Sequence, residues 1–167
     1  GSIRRERSTV KDIEIVCVPL MSVDLFGGPG EDLLNSIVRR HVVARLLQWR
    51  DPKGDIGTPE PKDLRERRYY ALATVGDDPW PIDLFCVRAP AQWGAIFAIR
   101  TGPADYSQHV VTMAHRKMLK CSEGRLVSIA LETVGQVVDT PEEADFFAAC
   151  GVPFVEPAAR LGQAAEG

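Results

Sequence analysis

The sequence predicts a mixed α+β fold built as two small lobes. Three observations carry this. Short β-branched, apolar runs at 12–19, 68–75 and 80–88 read as strands. Apolar residues recur at helical spacing through 31–50 and again from 103 onward. The length, 167 residues, suits one domain or two lobes sharing a core. Apolar residues make up 45 % and charged residues 26 %, which excludes a disordered chain. No run approaches the roughly 20 apolar residues of a membrane span, and no charged–apolar–small leader marks the chain for secretion. A formal net charge of −3 excludes a uniformly basic nucleic-acid coat but leaves room for local basic patches.

Taken in order, Asp12 to Pro19 (DIEIVCVP) reads as a buried strand that Pro19 ends. Phe26 to Gly30 (FGGPG) reads as a loop. Glu31 to Arg50 is expected to be one helix, with Leu34, Val38, Val42, Leu46 and then Trp49 on its inner face. Asp51 to Arg68 is polar and proline-rich and reads as a long loop. Arg68 to Val75 and Trp80 to Arg88 are strands joined by a hairpin at Gly76-Asp77-Asp78. Pro90 to Ile99 suits a short helix, which Thr101-Gly102-Pro103 breaks. Pro103 then opens a second helix with Tyr106, Val110, Ala114 and Met118 inside. Arg125 to Leu131 and Gly135 to Val138 form a small hairpin. Thr140-Pro141-Glu142-Glu143 reads as a capping box for a helix that stops at Gly151. The Ala/Gly-rich tail from Ala158 is expected to fray.

The four cysteines, Cys17, Cys86, Cys121 and Cys150, lie too far apart in sequence for a zinc knuckle or redox motif. Cys17 and Cys86 sit in apolar runs and read as buried thiols. This usage suits a reducing, intracellular, cytoplasmic setting. His41, His109 and His115 show no metal-ligand spacing.

The chemistry is concentrated in the acids. Asp12 and Glu14 alternate with Ile13 on a strand, so both point to one face. A solvent-facing acidic edge would account for that pair alone. Asp83 shifts the balance, because a charge inside PIDLFCV is costly to bury without a partner. On an adjacent strand it would complete a three-carboxylate set for hard divalent cations, which take oxygen ligands. Ahead of the acids, Gly1-Ser2-Ile3-Arg4-Arg5 would offer backbone N–H groups, a hydroxyl and a guanidinium to an anion. A Gly-Ser pair on its own is also what a cloning junction leaves. With the arginines and acids at this spacing it is read as native.

Gly1-Ser2 with Arg4 and Arg5, Asp12-Ile13-Glu14, Ile82-Asp83-Leu84-Phe85, and Arg100-Thr101-Gly102-Pro103-Ala104-Asp105-Tyr106 come in that order. With Val138-Asp139-Thr140-Pro141-Glu142-Glu143 and Gly151-Val152-Pro153-Phe154, the chain resembles the family X DNA polymerases, the nucleotidyltransferases related to DNA polymerase beta. The likeness runs from residue 1 to about 160. It differs at Glu14, usually Asp in the family, and at Pro81, where a basic residue often precedes the third acid. Arg100 replaces a common aromatic, and Val111 stands where some members use arginine toward the template.

The resemblance implies an N-terminally trimmed nucleotidyltransferase palm over 1–90, a mixed sheet flanked by helices. It implies a small α/β nucleotide-binding thumb over 91–167. Asp12, Glu14 and Asp83 would be the catalytic acids and hold two Mg²⁺ ions, with Mn²⁺ as a substitute. Ser2 and Arg5 would bind the triphosphate. Thr101 and Gly102 would pass along the nucleotide's sugar, and Ala104 and Ser107 would lie near its base. The implied function is a repair-type DNA polymerase, a monomer taking deoxynucleoside triphosphates and a DNA primer or primer–template, with no membrane partner. A nucleotidyltransferase acting on a small molecule or a protein, and a degenerate nucleotide- or DNA-binding module, remain as alternatives. Three basic clusters are candidates for phosphate contact: Arg4, Arg5 and Arg7; Arg65, Arg67 and Arg68; and Arg116, Lys117 and Lys120.

Overall fold

The computed structural model describes residues 1–50, 68–75 and 78–160. The expected loop at 51–67, the Gly76-Asp77 turn, the tail from 161, and Arg65 and Arg67 lie outside the described residues. The fold is mixed α+β, with small sheets and four helices among the described residues. It divides into two compact units. One spans Lys11–Val87; the other joins Gly1–Val10 to the chain from Arg88 onward. No helix among the described residues is long and apolar enough to cross a membrane.

The Lys11–Val87 unit is built on a four-stranded sheet. Its strands are β1 (Ile13–Cys17), β4 (Leu47–Trp49), β5 (Arg68–Val75) and β6 (Asp78–Cys86), ordered β1-β6-β5-β4. β1 runs parallel to β6, and the other pairs are antiparallel. β5 and β6 form the expected hairpin, with Val75 opposite Asp78. Between β1 and β4 come β2 (Met21–Val23), β3 (Pro29–Asp32) and helix α1 (Leu33–Val43). The FGGPG loop closes a β2–β3 hairpin. The Asp24 carboxylate accepts the Phe26 and Gly28 N–H groups, both at 2.8 Å, and Gly27 supplies the left-handed turn position at φ +80°.

The helix expected over 31–50 is shorter. Asp32 caps its start, accepting the Asn35 N–H at 3.0 Å. Leu34, Val38 and Val42 face inward as expected. The helix ends because Arg45 turns left-handed, at φ +59°. The Arg45 N–H then reaches the Val42 carbonyl and the Leu46 N–H reaches His41, the pairing of a Schellman cap. Leu46 and Trp49 therefore leave the helix, and Trp49 closes β4.

The second unit packs α2 (Trp93–Thr101), α3 (Ala104–Arg116) and α4 (Glu143–Cys150) around a core of Ala95, Ala98, Val110, Ala114, Leu126, Phe146 and Phe147. A three-stranded antiparallel sheet of β7 (Leu119–Ser122), β8 (Arg125–Ser128) and β9 (Val137–Val138) completes it. Met118 leaves the expected inner face. It adopts φ +55° just past α3 and is 50 % exposed. Gly151 ends α4 in the left-handed conformation, as expected.

Thr140 does not cap α4. That cap passes to Glu142, whose N–H donates to the Asp145 carboxylate at 2.9 Å. Thr140 is fully buried and serves the start of α2 instead. Its carbonyl accepts the Gly94 N–H at 2.8 Å, and its hydroxyl accepts the Ala95 N–H at 3.3 Å. The same hydroxyl donates to the Ala91 carbonyl. The first-turn donors of α2 thus find partners more than forty residues away in sequence. Within the tail expected to fray, the described residues are held in place: Pro157–Ala159 form a 3₁₀ turn, and Arg160 is 1 % exposed.

Candidate functional site

The predicted acids lie in the Lys11–Val87 unit. Glu14 on β1 pairs in register with Asp83 on β6. Side chains in register on neighbouring parallel strands project from the same side of the sheet, so these two carboxylates stand next to each other. Both are half-buried. Asp12 lies one residue ahead of β1.

Arg50, the residue just past β4, reaches this edge of the chemistry. Its Nη2 donates to Asp83 Oδ1 at 2.6 Å, with the two side chains only 17 % and 16 % exposed. That contact occupies one lone-pair direction of Asp83 and holds its orientation. Two adjacent carboxylates fit a hard, oxygen-seeking cation such as Mg²⁺. No group of three His, Cys, Asp or Glu side chains able to hold a metal ion is found among the described residues. The sequence reading missed Arg50 because the helical period ran through it and hid β4.

The predicted nucleotide-binding residues lie in the other unit. Residues 1–7 form a turn, with the Arg5 N–H on the Gly1 carbonyl and the Arg7 N–H on the Ser2 carbonyl. This turn docks on the C-terminal end of α2. Arg5 Nε donates to the Thr101 carbonyl at 2.8 Å. Arg4 Nη1 donates to the Thr101 hydroxyl at 2.7 Å, and its guanidinium lies 4.0 Å over the Phe97 ring. Two cations at the end of a helix complement its negative pole. Gly102, at φ +66°, follows directly; a β-carbon there would lie in van der Waals contact with the Ala104 nitrogen at 3.6 Å and with the Arg5 guanidinium at 3.9 Å.

The structure therefore brings Arg5, Thr101 and Gly102 together, with Ser2 in the same turn. Ala104 is exposed at the start of α3. Ser107 donates its hydroxyl to the Ile99 carbonyl at 3.1 Å and so ties α3 to α2.

Glu143 organises this region, a role its place in an apparent capping box concealed. It is 5 % exposed and accepts both terminal nitrogens of Arg4, at 2.8 and 2.7 Å. Arg160 donates to the same carboxylate at 2.7 Å from the opposite end of the unit's sequence. Burial pushes the Glu143 carboxyl up. The hydrogen bonds and charges of Arg4 and Arg160 outweigh burial and hold it below the usual carboxylate range. Arg160 lies 4.8 Å over Phe147 and donates through Nε to the Val155 carbonyl at 2.8 Å. Beside it, burial raises the Tyr106 phenol, with the Arg160 charge opposing. Nothing in local sequence marks either partnership, since they join residues 139 and 17 positions apart.

No family model and no curated protein matches the chain.

Proposed function

We propose that the protein is a nucleotidyltransferase that adds deoxynucleotides to a DNA 3′-hydroxyl, acting as a repair-type polymerase. The observation that supports this best is the in-register pairing of Glu14 with Asp83, two carboxylates held side by side on adjacent strands. The reaction joins the primer 3′-oxygen to the α-phosphorus and expels pyrophosphate. Mg²⁺ held between Glu14 and Asp83, the two acids that stand side by side, would supply Lewis-acid activation of the hydroxyl and charge neutralisation at the leaving group.

The chain's own residues do the positioning. Asp83, steadied by Arg50, is the acceptor for the hydroxyl proton. Arg5 and Ser2 serve the triphosphate, and Arg4 keeps their turn in place through Glu143. The Thr101–Gly102 backbone lies along the sugar, and Ala104 and Ser107 are the residues nearest the base.

A second reading is a binding module without chemistry, and the Arg50–Asp83 ion pair favours it. A guanidinium on the third acid competes with a cation for the same oxygen. Primer extension separates the two. With Mg²⁺, a deoxynucleoside triphosphate mixture and a primed template, the nucleotidyltransferase reading expects extended primer, abolished by Asp83→Asn. Extension without a template strand marks a terminal transferase. Nucleotide or DNA binding with no extension in either format selects the module.

A further inference from the structure

Cys17 closes β1 and Cys86 closes β6, and the two are register partners on adjacent parallel strands. Their sulfurs stand 3.8 Å apart. Neighbouring strands lie about 4.8 Å apart, inside the roughly 4.4–6.8 Å Cα separation that a disulfide spans. The Val87 N–H donates to the Cys17 carbonyl at 2.9 Å, so the ladder holds this pair together to its last residue. Cys17 is half-buried and so open to a small oxidant, while Cys86 is buried at 7 % exposure.

The other two cysteines are placed differently. Cys150 is fully buried in the core of the other unit, where burial pushes its thiol up to about 12, and burial also raises Cys121. Neither offers a ready thiolate.

We propose that Cys17 and Cys86 form a reversible disulfide when the protein meets a peroxide. The Cys17 thiolate attacks one oxygen of hydrogen peroxide, breaking the O–O bond, taking up that oxygen as a sulfenic acid and releasing hydroxide. The Cys86 sulfur then attacks the Cys17 sulfur, the S–O bond breaks, and the departing oxygen takes a proton to leave as water. The two thiols lose two electrons together and peroxide is reduced to water. The sulfurs close from 3.8 Å to about 2.0 Å. In the reducing compartment expected from the sequence, such a bond is a transient sensor, undone by a dithiol or glutathione. The bridge lies three positions along the same two strands from Glu14 and Asp83. The inference stands independently of nucleotidyl transfer.

The test uses the intact, fully reduced chain. It is treated with hydrogen peroxide, unfolded in guanidinium chloride with iodoacetamide present so that every free thiol is reached, weighed, and then digested with trypsin. Two of the four cysteines are expected to escape alkylation. A peptide pair, 12–39 linked to 69–88, is expected to appear and to vanish with dithiothreitol. Cys17→Ser and Cys86→Ser should each abolish the linked pair, and Cys121→Ser should leave it. Because a serine in β6 is a buried change, circular dichroism of each variant accompanies the assay. The linked peptide from the natural chain needs no variant. Four alkylated cysteines, a link through Cys121 or Cys150, or sulfinic acid on Cys17 without a link would each overturn the proposal.

Discussion

A single carboxylate, Glu143, binds two guanidiniums in a setting nearly closed to water. Breaking a buried pair costs more than forming it gains, because the partner charge is left desolvated. Glu143→Gln is expected to lower unfolding free energy at neutral pH by about 3–5 kcal/mol, measured by urea titration. The pH dependence has a defined sign. The folded carboxyl sits below its ordinary value of 4.5, so its stabilisation is complete above about pH 4.5 and fades as pH falls through the lower folded value. Natural protein should lose stability steeply below that point, and the Gln variant should show a shallower acid limb. Equal slopes would mean the carboxylate's charge does not matter to the fold. Arg50 makes a second residue-level case. If it aims Asp83, Arg50→Ala should cut kcat for primer extension about 10–100-fold, the scale of a misplaced reacting group. The KM for the nucleotide should barely move, and Arg50→Lys should recover part of the loss. A KM effect alone would assign Arg50 to nucleotide binding.

Helix α2 depends on a distant strip of chain. Gly94 lies so close to residues 140–142 that a β-carbon there would come within 2.7 Å of the Thr140 carbonyl oxygen and 2.6 Å of the Glu142 carbonyl carbon. Backbone cannot step aside as a flexible side chain can. Gly94→Ala is therefore expected to be strongly destabilising, although alanine is the better helix former in isolation. Thr140→Val keeps the shape but removes the hydroxyl, leaving the Ala95 N–H and Ala91 carbonyl without it. A loss of about 1–3 kcal/mol is expected, again by urea titration, and an unchanged midpoint would refute the capping role. The same strip shows what the sequence can disclose. The strand around Ile13–Cys17, the β5–β6 pairing, the paired helices either side of Gly102 and the stop at Gly151 were legible, because period and turn chemistry are local. The capping-box reading of Thr140 failed, since the partners of its hydroxyl, Ala95 and Ala91, are set by packing and not by local spacing. The end of α1 was hidden because an arginine, not a glycine, takes its left-handed position. β2 and β4, at three residues each, are too short to show alternation. At the site, Glu14 beside Asp83 followed from strand alternation and adjacency. Arg50, Glu143 and Arg160 did not, because a long side chain's reach leaves no trace in spacing.

At the scale of the molecule, the acids and the Arg4–Arg5 turn belong to different units. With Arg4 and Arg5 turned onto α2, the exposed cations for a nucleic-acid backbone in that unit include Arg116, Lys117 and Lys120, at and after the end of α3. Phosphate contacts carry no sequence information and release counterions. DNA affinity should fall steeply with salt, and the slope of log K against log salt should shrink by about one for each of these cations changed to alanine. Slopes that do not change would place the DNA elsewhere. The Lys11–Val87 unit is also an insertion: the chain begins one body, leaves it to build another, and returns to finish the first. Arg4 must wait for Glu143, 139 residues later. At the usual ribosomal pace of 5–20 residues per second that is roughly 7–28 s of synthesis. The inserted body can close while its host is still unfinished. Residues 1–7 spend that interval without their Glu143 contact, so the order of assembly is written into the chain's topology before any side chain is weighed.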